Sequence, residues 1–240
     1  MPETSSSNPQ SAEQRIWALL PAAGIGSRMQ SELPKQYLEI GDKTILEHSL
    51  SNFLKHPAIY KVVVAINPND QHWPQLEVSS HPKMVTVEGG AERADSVANG
   101  LAAIRQMGGE DDWVMVHDAA RPCLYSLHID NLIMARDTSP DGVILAIPSF
   151  DTVKVTNNQQ TIDKTINREK IWLAQTPQFF PVAKLAKAIQ DTKQQQQRIT
   201  DEASAMEAQG YHPALVVGSK RNIKITEQED LILASISLSI

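Results

Sequence analysis

The 240-residue chain has one cysteine, Cys123, so an internal disulfide is excluded. No His/Cys cluster has zinc spacing either. The thiol therefore reads as a small buried group in a reducing compartment, which makes the cytoplasm the expected location. Long apolar runs are missing: nothing approaches the roughly 20 residues needed to cross a bilayer. Met1 to Gln14 are polar and rich in Ser and Pro, without the basic start and apolar core of a secretory signal. They are expected to form a disordered tail ahead of a single domain spanning 15–240. Excess positive charge is also lacking, with 22 Lys and Arg against 28 Asp and Glu and a formal charge of −6. Non-specific binding to nucleic acid or to an anionic membrane is thereby disfavoured, and any phosphate site has to be a local basic patch. There is no internal repeat, and no Ser or Cys nucleophile has an evident base partner.

What is present centres on 19–36, LLPAAGIGSRMQSELPKQ. Ile16 to Leu20 is a short buried strand, and Pro21 to Gly26 form a turn whose small residues leave backbone amides open. Successive unhindered N–H groups make an anion-binding concavity, and Arg28 and Lys35 add mobile positive charge. A dinucleotide fingerprint would need a third glycine at position 29, which is Met29, and the Walker Gly-Lys-Ser/Thr also fails after Gly24. The stretch suits holding a triphosphate by its charges. Its plainer reading is a strand-to-helix turn with a solvated Arg and Lys.

Beyond this loop, strands and helices alternate. Thr44 is placed to cap a helix carrying Ile45, Leu46, Leu50, Phe53 and Leu54, and Pro57 ends it. Strands are expected at Tyr60 to Ile66, Val85 to Val87, Trp113 to His117 and Gly142 to Ile147, with helices at Arg93 to Met107 and about Leu127 to Arg136. The spacing predicts an α/β fold, a mainly parallel sheet flanked by helices, with ligands at the carboxyl ends of the strands. At Pro148 the rhythm breaks. Asp151 to Thr156 and Thr161 to Ile166 alternate around Asn157-Asn158, a hairpin that forms a protruding arm over about 148–172. A lone hairpin is marginal in water, so the arm is expected to pack on another subunit. A helix follows from Val182 to about Lys193, and Thr200 caps another through Gln209. Ala214 to Val217 and Ile223 to Thr226 read as late strands, and Glu229 to Leu238 as an amphipathic helix.

Polar groups collect where strands end. Gly89 to Ser96 (GGAERADS) opens a helix, with glycines that allow close backbone approach; Glu92 and Asp95 equally suit the positive end of that helix. Asp118 directly follows a strand near the triphosphate loop, a place to hold Mg²⁺ together with phosphate oxygens, and on its own it reads equally as a turn residue. Thr152 and Arg168 lie on the arm, and 222–226 (NIKIT) and 200–202 (TDE) complete the set. Arg28, Lys35, Arg121, Arg168 and Lys224 supply the charge neutralisation that displacement at phosphorus requires.

Seven motifs in order, PAAGIGSRM from Pro21, PKQY from Pro34, GGAERADS, VHDAARP from Val116, TPQFF from Thr176, TDEASA from Thr200 and NIKIT, resemble the 2-C-methyl-D-erythritol 4-phosphate cytidylyltransferase family over about 16–238. The resemblance implies a Rossmann-like nucleotidyltransferase fold and a homodimer with interlocked arms. It further implies that CTP is joined to methylerythritol phosphate with release of pyrophosphate, using Mg²⁺. Carried over, it makes Arg28 and Lys35 catalytic and sets Ala22, Ala23, Gly24, Gly90, Arg93 and Ser96 against the nucleotide. Arg121, Thr152, Arg168, Thr200 and Lys224 would hold the second substrate, Thr152 and Arg168 from the partner's arm, with Asp118 by the metal. The chain departs from the family at Ala91, where Asp is frequent. If that position acts through its backbone little changes; if through its carboxylate, cytosine selectivity is affected. Two other functions fit the same residues: transfer to another polyol phosphate such as ribitol 5-phosphate, and a non-catalytic CTP sensor.

Overall fold

Alternate residues of the central strands enter opposite cores, the geometry of strands covered on both faces. In the computed structural model, which describes residues 14–24 and 33–239, strand β1 (Ile16–Pro21) sends Ile16, Ala18 and Leu20 to one side and Trp17 and Leu19 to the other. Strands β2 (Glu39–Ile40) and β3 (Lys43–Thr44) pair as a small separate hairpin, while β4 (Ile59–Ile66), β5 (Met84–Glu88), β6 (Trp113–Val116), β7 (Val143–Pro148), β10 (Trp172–Pro181) and β11 (Ala214–Val217) belong to the sheet of β1. Their order is β11-β7-β10-β6-β1-β4-β5. Helices α1 (Ile45–Lys55) and α3 (Ser126–Arg136) cover one face; α2 (Arg93–Gln106), α4 (Val182–Gln194) and α5 (Glu202–Ala208) cover the other. The expected α/β fold, a mainly parallel sheet flanked by helices, agrees with this arrangement.

All neighbouring pairs in the sheet are parallel except those of β10, which runs antiparallel to both β6 and β7. Its direction follows from its connection. Strand β7 leads into the hairpin β8 (Val153–Thr156) and β9 (Ile162–Ile166), and the chain returns beside β7 without a crossover helix. As a result the start of β10, around Thr176, lies at the same sheet edge as the carboxyl ends of the parallel strands.

The cap of α1 is the one the sequence announces. Thr44 and Glu47 form a capping box on α1. Four expectations need correction. The cap of α5 is Asp201 rather than Thr200: the Asp201 side chain accepts from the Ser204 amide, and Thr200 stands one residue outside. The arm's turn is not built on Asn157-Asn158 alone but runs to Thr161, with Gln160 in the left-handed region at φ 59 and the Asn157 side chain bonded to Thr161. Ile223 to Thr226 join no sheet: the one backbone–backbone bond from these residues to the body runs from Ile225 N to the Ala120 carbonyl. The last helix, α6 (Gln228–Leu238), is not amphipathic: Ala234 is buried while Ile232, Leu233 and Ile236 face outward. The predicted tail lies outside the described residues but for Gln14. No described helix is long and apolar enough to cross a membrane.

Beneath α6, Ile40, Ile45, Cys123, Ile225 and Ala234 form a small separate core. Burial pushes the Cys123 thiol up to about 11, and its Sγ lies 3.7 Å from the Ala234 carbonyl. In native protein at pH 8 a thiol reagent is therefore expected to label Cys123 at least about a hundredfold more slowly than in denaturant, because only thiolate reacts and only after α6 lifts. A native rate close to the denatured one would show that α6 does not cover this core.

Candidate active site

The ends of β1, β5, β6 and β11 deliver four loops to one edge of the sheet. After β1, the Ala22 amide donates to the Ala65 carbonyl. The buried Gln36 side chain donates to the carbonyls of Ala22 and Gly24 at 3.0 and 3.1 Å. Holding the carbonyls from below turns the small-residue loop toward the cleft. Gly89 has to be glycine here: a Cβ would overlap the Ala23 Cβ, so the loops after β1 and β5 touch through it. Gly90 meets the same constraint from Asp95. The Gly90 amide donates to Ser96 Oγ at 3.0 Å, and that hydroxyl reaches the Glu92 carbonyl, so Ser96 shapes the turn from beneath. Asp95 caps α2 reciprocally with Glu92 and pairs with Lys193 of α4.

Asp118, at the end of β6, is the centre of the charges. Its Oδ1 lies 2.9 Å from Arg93 Nε, and its Oδ2 lies 2.8 Å from Lys224 Nζ and 3.7 Å from Arg121 Nε. Burial alone would raise its pKa, but these cations outweigh that and hold the carboxyl far below the usual range. Arg93 turns its other end onto Glu202, with bonds of 2.6 and 2.9 Å. Burial would lower the Arg93 pKa, and the two carboxylates more than reverse this. Within this ion-pair network three cations thus face two carboxylates, one positive charge in excess; Lys35 adds to it, and Glu92 and Asp201 also line the clefts.

Neutral groups lock this cluster to the sheet. Burial pulls the His117 imidazole down to about 4. Its Nε2 donates to the Arg121 carbonyl at 3.0 Å, so its Nδ1 accepts from the Thr176 hydroxyl at 2.9 Å. That hydroxyl in turn accepts from the Asp118 amide. Gln175 and Asn222 tie β10 to the loop carrying Lys224, through Ser219 and Thr176. Arg121 Nη1 donates to the Asn222 carbonyl at 2.6 Å, and Lys35 Nζ reaches the Ile225 carbonyl at 3.1 Å. One extended segment, 222–226, therefore anchors two cations by its carbonyls and contributes a third.

Two clefts open around these groups. The larger share of the predicted site lines a cavity of about 180 Å³: Ala22, Ala23, Gly24, Lys35, Gly90, Arg93, Ser96, Asp118 and Lys224, with Ala91 at the rim. A second, of about 210 Å³, takes Arg121 and Thr200 and is backed by Gln175, Thr176 and Gln178. Arg93, Asp118 and Lys224 belong to both, so they form a common wall. Thr152 and Arg168 are exposed on the arm and line neither cleft; Arg168 donates to the Phe150 carbonyl. Arg28 falls in 25–32, outside the described residues. Among the described residues no group of three His, Cys, Asp or Glu could hold a metal ion, so a divalent cation here would take Asp118 as its one carboxylate and phosphate oxygens for the rest.

Sequence reasoning missed the individual roles of Glu202, Gln36, Gln175, Gln178 and His117. The sole signal was that four of them sit inside the motifs and Gln175 directly before one, with no hint of what each touches.

A mainly parallel sheet with two cation-lined clefts at its carboxyl edge, beside a small-residue loop after β1, is the arrangement of a nucleotidyltransferase. Residues 16–239 match the model of the family described as IspD, 2-C-methyl-D-erythritol 4-phosphate cytidylyltransferase. The enzyme of that name from Shewanella sediminis is 52% identical over 227 residues, covering 95% of each chain. Its counterpart from Tolumonas auensis is 49% identical over 94% of this chain and 97% of its own. The crystal structure of the Francisella tularensis enzyme superposes with a TM-score of 0.81 at 38% identity, over 93% of this chain and all of that one. The chain belongs to the 2-C-methyl-D-erythritol 4-phosphate cytidylyltransferase family.

The contact between Gly89 and Ala23 generates a test. Gly89→Ala should drive the two loops apart and weaken CTP binding by at least about tenfold in calorimetric titration, with the protein still folded, since rearrangement around one added methyl costs about 1–3 kcal/mol. Unchanged affinity would mean that the loop approach does not shape the nucleotide cleft.

Proposed function

We propose that the protein joins CTP to 2-C-methyl-D-erythritol 4-phosphate, releasing pyrophosphate, as a step of non-mevalonate isoprenoid synthesis. The observation that carries this reading is the pair of clefts meeting at one cationic wall. Two phosphate-bearing molecules laid in them would bring their phosphates together there. Family membership supports this activity over transfer to ribitol 5-phosphate and over a silent sensor.

In the reaction a phosphate oxygen of the polyol attacks the α-phosphorus of CTP. The new P–O bond forms as the bond to the β-phosphate oxygen breaks, and that electron pair leaves with pyrophosphate. The attacking phosphate is already largely ionised near neutral pH, so no side chain need remove a proton. The chain's task is to position both phosphates and offset charge that grows in the transition state. Lys35, held on the Ile225 carbonyl, and Arg28 take that role. Gly90 and Ser96 set the edge that reads cytosine, and Ala91 acts there through its backbone. Arg93 lies against the nucleotide; Arg121, Thr200 and Lys224 receive the second phosphate. Mg²⁺ bound beside Asp118 would neutralise the triphosphate, in exchange for part of the hold that Arg93 and Lys224 have on that carboxylate.

Thr152 and Arg168 complete the site from a partner's arm in a homodimer. Support comes from apolar groups left exposed around the arm and its base, Phe150, Ile162, Trp172 and Leu173. A cytoplasmic location fits the single buried thiol.

Purified protein with Mg²⁺ is expected to release pyrophosphate only when both substrates are present. A folded protein releasing none would reject the reading. Lys35→Ala and Arg28→Ala should each lower kcat by about a hundredfold or more with smaller changes in KM, as expected for groups acting on developing charge. An effect confined to KM would refute that role. Sedimentation at micromolar concentration should give a dimer, and a monomer retaining full activity would exclude the shared site.

A further inference from the structure

Glu202 is 1% exposed, and among the described residues its carboxylate bonds to nothing but Arg93. Its presence needs a reason. It does not cap α5, because Asp201 does so. Nor does stability require it, since a buried ion pair is often no better than an apolar pair of the same volume. What it does is geometric. The end of the Arg93 guanidinium meets both Glu202 oxygens, and its Nε meets Asp118 Oδ1 at 2.9 Å. With acceptors along two edges, a planar group can neither rotate nor tilt.

The clamp is itself held. Gln178, buried in β10, donates to Asp201 Oδ2 at 2.8 Å and accepts from the Ala203 amide at 2.8 Å. It thus grips the residues on either side of Glu202. A continuous line runs from the middle of the sheet through Gln178, the first turn of α5, Glu202 and Arg93 to Asp118, at the wall shared by both clefts.

We propose that Glu202 is a positioning residue for the transfer reaction: it fixes Arg93 as the partition between the nucleotide cleft and the second cleft, and through Arg93 sets the affinity for CTP. The inference deepens the function proposed above and rests on it. Glu202→Gln keeps the shape but turns an amide N–H toward the guanidinium where an acceptor had been. Arg93 then keeps one bond of its fork and gains freedom to swing onto Asp118.

The experiment is titration calorimetry with CTP on the wild type, Glu202→Gln, Arg93→Gln and the double variant, with kcat measured at saturating CTP. Glu202→Gln should raise the Kd for CTP roughly ten- to a hundredfold, the size of one lost charge-assisted bond, while kcat changes less than about threefold. In the Arg93→Gln background the same change should have no further effect on Kd. Arg93→Gln alone leaves a buried unpaired carboxylate and should lower Tm, and the double variant should recover it, which supplies a folded protein should a single variant unfold. Wild-type affinity in folded Glu202→Gln, or losses that add in the double variant, would overturn the proposal. Wild-type turnover, assayed alongside, judges the enzymatic function separately. CTP binding without turnover removes the function but leaves the Glu202 result standing, and turnover with no effect of Glu202→Gln does the reverse.

Discussion

A single buried carboxylate facing three cations is the constraint around which this protein is arranged. Arginine and lysine side chains repel each other, and burying them together costs free energy that no apolar contact offsets. Asp118 makes the convergence possible, with Arg93, Arg121 and Lys224 all within ion-pair distance. Each cation comes from a different stretch of chain, so the carboxylate also fixes how the start of α2, the loop after β6 and the segment before α6 are set against one another. Because the cluster keeps net positive charge, it is stable as folded and still attractive to a phosphate.

The fold provides the edge on which such a cluster can stand. Parallel strands deliver their loops to one side, and the reversed β10 brings Gln175, Thr176 and Gln178 to the same side from below. These uncharged groups hold backbone and side chains in place without altering the charge balance. The division of labour is physical: Arg93, Asp118, Arg121 and Lys224 face the clefts, and the uncharged groups behind them bond chiefly to backbone.

Much of the scaffold was legible because it is encoded locally. The alternation in 59–66, the Thr44 capping box and the apolar spacing of α1 and α2 each depend on residues within a few positions. Motif order picked out residues that the fold brings together: outside the arm, the two clefts gather every predicted residue that is described, while Thr152 and Arg168 line neither. The rest depends on partners distant in sequence. Glu202 meets Arg93 across 109 positions, a pairing that no local pattern reports. Ile223 to Thr226 have strand-like composition, but the edge of the sheet is already formed by β11, and tertiary bonds to Ala120 and Lys35 claim that backbone instead. Asp201 displaced Thr200 as the cap because both residue types suit the position and only the packing of Gln178 decides between them.

The common wall has a bearing on molecules designed to occupy this protein. A compound filling one cleft meets Arg93, Asp118 and Lys224 from one side only. A compound bridging both must cross them, and a neutral linker there would cover charges without answering them. A short dianionic bridge would meet the excess positive charge instead, gaining from both cavities at once while avoiding the loss of hydration that an uncharged tether would impose.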